Sequence, residues 1–392
     1  MKKVKVAFLG ARGLGNYGGA ETFVLEVSSR LRKIFEVYVA CVDKKFYEAE
    51  INGVKLVGIH GVQHPTTTIP SLNDLIATMY LLRKHKEIDV IHYVAPYGAL
   101  AAIIAKFTRK KVSINPDGVE WKRLIRRLKF VPFYQKPIYI LTMIYMFFME
   151  FLSCKVPDIT VADSIAIKSR LQRLYKPRNV AYIAYGSTKL VKNDLPRHKE
   201  ERILNEFGLE PHGYYLTIGR LVAENNIHIE IEAFKRSNSD KKLLVIGNVY
   251  QRDPYIKHLY KLKNNYQNII ITGPVWIPEL LQVLRKNCFA YIHAYEVGGT
   301  NPSLLEQMQY RRPILAYDVA YNKEVLGTAG IYFKNSEELA EGMRFLEKNE
   351  IDLNNICNKM FDRLHTDYNW EHVATRYADL FRHLTVDFSD LR

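Results

Sequence analysis

Three glycine-bearing loops hold the residues whose types and spacing could do chemistry. The first is Gly10-Ala11-Arg12-Gly13-Leu14-Gly15-Asn16-Tyr17-Gly18-Gly19. Two glycines opening a helix, Gly18 and Gly19, leave backbone amides and the positive end of the helix dipole facing an anion. Gly13-Leu14-Gly15-Asn16-Tyr17-Gly18 also fits the dinucleotide fingerprint GxGxxG, with Asp43 25 residues past Gly18. That fingerprint needs its first glycine in the tight turn at the strand end. Here the apolar run ends at Gly10, three residues early. A nicotinamide-dependent or nucleotide-sugar-modifying Rossmann enzyme, such as an oxidoreductase or epimerase, is therefore the alternative rather than the leading reading.

The second loop is Gly219-Arg220-Leu221-Val222-Ala223-Glu224-Asn225-Asn226. The forked, permanently charged guanidinium of Arg220, just past a strand end, suits a diphosphate oxygen. The third is Glu296-Val297-Gly298-Gly299-Thr300-Asn301-Pro302-Ser303-Leu304-Leu305-Glu306. Amides from Asn301 to Leu304 are expected to face a phosphate. Glu306, in the first turns of the following helix, could accept hydrogen bonds from a vicinal diol or simply offset the helix dipole.

The elements that must carry these loops read as alternating strands and helices. In the first half the strands are Val4–Gly10, Val37–Val42, Asp89–Tyr93, Lys111–Ile114, Asp158–Ala162 and Val180–Ile183. The pattern restarts at Tyr214–Ile218 and continues through Lys242–Ile246, Asn268–Thr272, Phe289–His293, Pro313–Tyr317 and Gly330–Phe333. Continuous apolar strands between helices imply parallel sheets covered on both faces. The fold class is α/β, with two doubly wound, Rossmann-like domains facing a central cleft lined by strand-end loops. The expected domains are 1–188 and 189–370, with residues 371–392 forming a helix that packs back on the first.

Charge divides at the same boundary. Residues 1–188 carry 29 Lys+Arg against 14 Asp+Glu, whereas residues 189–392 carry 27 of each. A basic first domain suggests an anionic membrane or a nucleic acid as partner. The chain has no helix-turn-helix, zinc or RNA-binding aromatic signature, so nucleic acid is not expected. Between Lys106 and Lys136 ten basic residues, among them Arg123, Arg126, Arg127 and Lys129, are interleaved with Trp121, Phe130, Phe133 and Tyr134. The apolar stretch Ile138–Leu152 follows. Such a segment suits a peripheral, headgroup-level contact, and Ile138–Leu152 is also readable as a buried helix. Its longest apolar run, Ile138–Met149, is twelve residues against the roughly 20 a bilayer requires. Cys41, Cys154, Cys288 and Cys357 are scattered, which fits a reducing cytoplasm. Lys2, Lys3 and Lys5 precede only four apolar residues, so the start of the chain does not read as a signal peptide.

Taken together and in order, the Gly18-Gly19 loop, Gly219-Arg220-Leu221 with Glu224-Asn225-Asn226, and Gly298-Gly299-Thr300-Asn301-Pro302-Ser303-Leu304-Leu305-Glu306 resemble the retaining GT-B glycosyltransferases of family GT4. The likeness is greatest to the rhamnosyltransferase-like branch, and it covers essentially the whole chain. It implies a donor diphosphate held by Arg220 and the amides near Asn301–Leu304, with Glu306 on the ribose and Gly18-Gly19 approaching the phosphates. Thr300, Ser303 and Asn225 would line the donor. Two departures stand out. Asn225 stands where many relatives have lysine, and Gly298 occupies the place of a second glutamate, with Glu296 two positions out of register. Both resemble the rhamnosyl branch and imply a 6-deoxyhexose on a UDP or dTDP carrier.

In Asn115-Pro116-Asp117-Gly118-Val119-Glu120-Trp121, Asp117 is the candidate to orient or deprotonate the acceptor hydroxyl, with Glu120 behind it. Pro-Asp-Gly is also a plain turn signal. No DxD sequence occurs in the chain, so no catalytic metal and no cofactor beyond the nucleotide sugar are expected. The expected partners are that nucleotide sugar, a lipid-linked saccharide acceptor and an anionic membrane, at the cytoplasmic face of the cell membrane.

Overall fold

The computed structural model describes residues 3–11, 18–43, 45–61, 70–116, 118–187, 194–250, 252–349 and 353–385. It resolves into two compact units. The first comprises Met1–Trp121, Thr142–Gly186 and Asn369–Arg392, and the second Lys122–Leu141 and Ser187–Tyr368.

The first unit is built on β1 (Lys5–Leu9), β2 (Glu36–Asp43), β3 (Tyr47–Ile51), β4 (Val54–His60), β5 (Val90–Tyr93), β6 (Lys111–Ile114), β7 (Ile159–Ala162) and β8 (Val180–Tyr182). Their order in the sheet is β3-β4-β2-β1-β5-β6-β7-β8. All pairs are parallel except β3 with β4. This antiparallel hairpin is missing from the sequence expectation, although Asn52-Gly53 is a strong hairpin signal. Both residues have positive φ (51° and 75°), the conformation that a two-residue primed turn requires. The helix Trp370–Thr385 closes the unit: Phe381 meets Phe8 at 5.8 Å and Tyr377 meets Phe23 at 5.1 Å between ring centroids.

The second unit carries β9 (Tyr214–Ile218), β10 (Lys242–Ile246), β11 (Ile269–Thr272), β12 (Ala290–His293), β13 (Ile314–Tyr317) and β14 (Ile331–Phe333). Their order is β11-β10-β9-β12-β13-β14, and every pair is parallel. Strand order reverses between β9 and β12, so the loops leaving these two strands lie side by side at the switch point. They are the Arg220 loop and the loop that leads to Glu306.

Two expectations about the basic, apolar segment need correction. Lys122–Leu141, expected inside the first domain, belongs to the second unit. And the helix Lys136–Lys155 is longer than its twelve-residue apolar run: with the preceding turn it forms a 23-residue stretch long and apolar enough to cross a membrane. The run ends early in sequence because Glu150 interrupts it, and in the fold that residue is turned inward. Its carboxylate accepts from Trp121 Nε1 (2.7 Å), from the Arg170 guanidinium and from Tyr175 Oη (3.3 Å). Met146, Met149, Ser153 and Cys154 are buried beside it, so this face of the helix belongs to the first unit's packing. Removing one partner of a buried ion pair strands the other. Glu150→Ala is therefore expected to destabilise the first unit by about 3–5 kcal/mol. An unaltered melting curve would show that the network is dispensable.

Candidate functional site

The site is assembled on the carboxyl ends of β9 and β12. Ile218, the last residue of β9, has a carbonyl that accepts from Tyr295 Oη (3.0 Å), Tyr291 Oη (3.3 Å) and Ser303 Oγ (3.3 Å). One strand-end oxygen thus fixes the Arg220 loop against the loop to Glu306. Glycine follows, and a Cβ on Gly219 would lie 1.3 Å from Tyr295 Oη, so any larger residue here would have to displace the Tyr295 hydroxyl from Ile218 O. Gly247, at the end of β10, is constrained likewise: its Cβ would meet Gly219 O at 2.1 Å.

Arg220 projects from this fixed point and is exposed. Among the described residues no ion pair engages its guanidinium. Its carbonyl accepts from Asn225 Nδ2 at 2.7 Å. Asn225 is buried, and it shapes the loop beneath Arg220. The side chain expected to line the donor commits its amide nitrogen to this bond.

The loop to Glu306 also differs from expectation. Asn301 is the N-cap of the helix Pro302–Met308, and its Oδ1 accepts from Ser303 N at 2.9 Å. Leu304 N donates to Asn301 O (3.1 Å), and the Leu304 side chain is core. The amides of Ser303 and Leu304, expected to face a phosphate, are therefore already bonded within the loop, because Asn301 is a good cap. Thr300 is buried. Glu306 is ion-paired to Arg285, Nη2 to Oε2 at 2.8 Å. Burial pushes its carboxyl above the usual range, and the guanidinium opposes that rise.

Three residues that the sequence reading did not single out lie within this framework. Arg285 is fully buried and spans Glu306 and Ser303. His293, at the end of β12, sits between Tyr291 and Tyr295; burial drives its pKa down to about 3, so it is neutral. Glu230 accepts from Thr217 Oγ1, and burial raises its pKa well above the usual range. An arginine in the last turn of a helix looks like dipole compensation in sequence, and nothing local marks it as buried.

The four basic residues expected at a membrane are divided. Arg127 forks onto Glu224, with Nε 3.0 Å from Oε2, and Glu224 is only 1% exposed. Arg126 pairs with Glu296, which also meets Asn226 Nδ2 at 3.5 Å. These two arginines serve the second unit's own loops, so charge reversal there would disturb the fold before it tested lipid binding. Arg123 is half-buried near Gly298, and Lys129 is exposed.

In the first unit, Gly18 precedes the helix Gly19–Leu31, and a Cβ on Gly18 would lie 2.1 Å from Glu21 Oε2. The helix start expected to meet an anion thus carries a buried carboxylate of its own. Residues 12–17, most of the GxGxxG match, lie outside the described residues, and so does Asp117. Glu120 opens the helix Glu120–Arg127.

Comparison with known proteins bears on both halves. Residues 199–361 match the family described as glycosyl transferases group 1. Residues 2–188 match a family described as a domain of unknown function (DUF1972). No curated protein sequence matches the chain. Among solved structures, the chain resembles sucrose-phosphate synthase from Thermosynechococcus elongatus, with 15% identity, TM-score 0.78, and 97% of this chain and 99% of that one covered. It also resembles HepE of Anabaena in complex with UDP, with 14% identity, TM-score 0.72 and coverage of 97% and 100%. A third is WaaG, a glycosyltransferase involved in lipopolysaccharide biosynthesis, with 14% identity, TM-score 0.68 and coverage of 96% and 99%. The shared fold is GT-B.

Proposed function

We propose, from the premise that this chain is a glycosyltransferase with a glycosyl transferases group 1 domain at residues 199–361, that it transfers a 6-deoxyhexose such as rhamnose from a UDP or dTDP carrier to a lipid-linked saccharide, with retention at the anomeric carbon. The observation that carries this reading is the placement of Arg220. It is an exposed guanidinium with no ion pair among the described residues, on a glycine-bearing loop beside the Glu306 loop across the β9/β12 switch point. There Arg220 would meet the diphosphate and Glu306 the ribose. HepE was solved with UDP, and a nucleoside diphosphate is the matching ligand for this chain.

In the proposed reaction the acceptor hydroxyl attacks the anomeric carbon on the face that the diphosphate leaves. The sugar–oxygen bond to phosphate breaks, and the hydroxyl proton passes to the departing phosphate oxygen. Arg220 stabilises the charge that develops there. Asp117 orients the acceptor hydroxyl.

A lipid-linked acceptor is supported by the helix Lys136–Lys155. Ile138, Leu141, Ile144, Phe148 and Phe151 are exposed at three- and four-residue spacing, a continuous apolar stripe. Lys129 is exposed and Lys136 half-buried at its amino end. We read it as lying in the headgroup region of an anionic membrane, at the cytoplasmic face, in the assembly of a cell-surface polysaccharide. The test is a screen of UDP- and dTDP-sugars for hydrolysis and transfer, with the product anomer read by NMR. Asp117→Asn is expected to slow transfer by about 100-fold while leaving donor hydrolysis within about twofold. Equal loss of both would remove Asp117 from the acceptor.

A further inference from the structure

We propose that Arg285 is a positioning residue of the nucleotide site: by bridging Glu306 Oε2 and Ser303 Oγ it holds the Glu306 carboxylate in the one orientation that a ribose can use. The proposal rests on the reading that Glu306 meets the ribose.

The geometry is that of a built support. Arg285 is fully buried on the helix Pro278–Asn287. Its Nη2 donates to Glu306 Oε2 at 2.8 Å and to Ser303 Oγ at 3.0 Å. Its Nη1 donates to Ser303 O at 3.2 Å and to Gln307 Oε1 at 3.3 Å. The guanidinium carbon stands 5.5 Å from the centroid of the Tyr291 ring. Tyr291 Oη and Ser303 Oγ are 2.8 Å apart, and both reach Ile218 O, the strand-end carbonyl before Arg220. One side chain thus links the first turn of the Glu306 helix to the base of the Arg220 loop. A planar fork can do this, and the single ammonium of lysine cannot.

The arrangement also sets the charge of Glu306. Burial favours the neutral carboxylic acid, and Arg285 favours the carboxylate. The other titratable groups near it, Tyr310 and Tyr291, are pushed up by burial and stay neutral, and Asp194 adds negative charge beside Tyr310. Arg285 is therefore the counter-charge among these groups. Without it Glu306 is neutral to a higher pH, and a neutral carboxyl accepts ribose hydroxyls poorly.

The experiment titrates the full chain with UDP and dTDP and with the 3′-deoxy form of each, across pH 6 to 9. The wild type is expected to favour the parent nucleotide over its 3′-deoxy form by about ten- to a hundredfold, the range for a hydrogen bond to a charged group. In Arg285→Gln that preference should collapse to about twofold at the acid end of this range and recover only in part as pH rises, because Glu306 regains its charge but not its orientation. Arg285→Lys keeps the buried charge, and so the fold, but loses the fork. Its preference should fall about tenfold with no pH dependence. Glu306→Gln tests the underlying reading. If it keeps the wild-type preference, the ribose assignment of Glu306 fails and the proposal fails with it. If Glu306→Gln loses the preference while both Arg285 variants keep it, the reading stands and the positioning role is overturned.

Discussion

Replacing Arg220 by alanine is expected to lower kcat/KM for the nucleotide sugar by about two to three orders of magnitude, with the melting temperature unchanged. The size follows from where the charge stands. Breaking the bond between sugar and diphosphate places negative charge on the leaving oxygen, and a fixed cation there is worth about 3–4 kcal/mol in the transition state. The unchanged stability follows from what the guanidinium touches in the folded chain. It is exposed and makes no ion pair among the described residues, and an exposed substitution of this kind stays within about 0.5 kcal/mol. The loop itself is held by backbone and neighbours, through Asn225 on the Arg220 carbonyl and Gly219 under Tyr295. Arg220→Lys should recover part of the loss, because it restores the charge without the fork. Steady-state kinetics with the preferred donor checks this, and full activity in Arg220→Ala would remove the residue from the site.

The second large effect is expected at the membrane. Ile144 and Phe148 are 59% and 49% exposed, on the face of the helix Lys136–Lys155 opposite Met149 and Glu150. Full burial of two such side chains in lipid is worth about 3–6 kcal/mol. The double variant Ile144→Ser with Phe148→Ser should therefore bind anionic vesicles at least about a hundredfold more weakly, with its melting temperature little changed. Flotation with phosphatidylglycerol-containing vesicles measures it. The apolar share of the binding should persist at high salt, where headgroup contacts to Lys129 and Lys136 are screened. Undiminished flotation of the double variant would move the contact elsewhere.

The strands were legible because buried parallel strands are continuous apolar runs, as at Tyr214–Ile218 and Lys242–Ile246. The hairpin of β3 and β4 escaped because Tyr47–Ile51 is polar and mostly exposed, although Asn52-Gly53 marks its turn. The affiliation of Lys122–Leu141 could not be read from composition. It depends on Arg126 finding Glu296 and Arg127 finding Glu224, partners 170 and 97 residues away. A cluster of arginines reads alike whether it faces lipid or buried carboxylates. The positions of the site loops followed from glycines at strand ends, but their internal bonding did not. Asn301 could cap its helix or leave the amides to a ligand, and the folded chain takes the cap. Arg285 was hidden for a similar reason, since burial of a charged side chain is a property of packing, not of sequence type.

The most direct test of a nucleotide-sugar site on the second unit is the melting temperature of the full chain with saturating UDP, dTDP or NAD. A ligand at about a hundred times its Kd stabilises the folded state by about 2.7 kcal/mol. UDP or dTDP is expected to raise the melting temperature of wild type and to leave Arg220→Ala nearly unmoved, while NAD has no effect on either. Stabilisation by NAD alone would contradict the account.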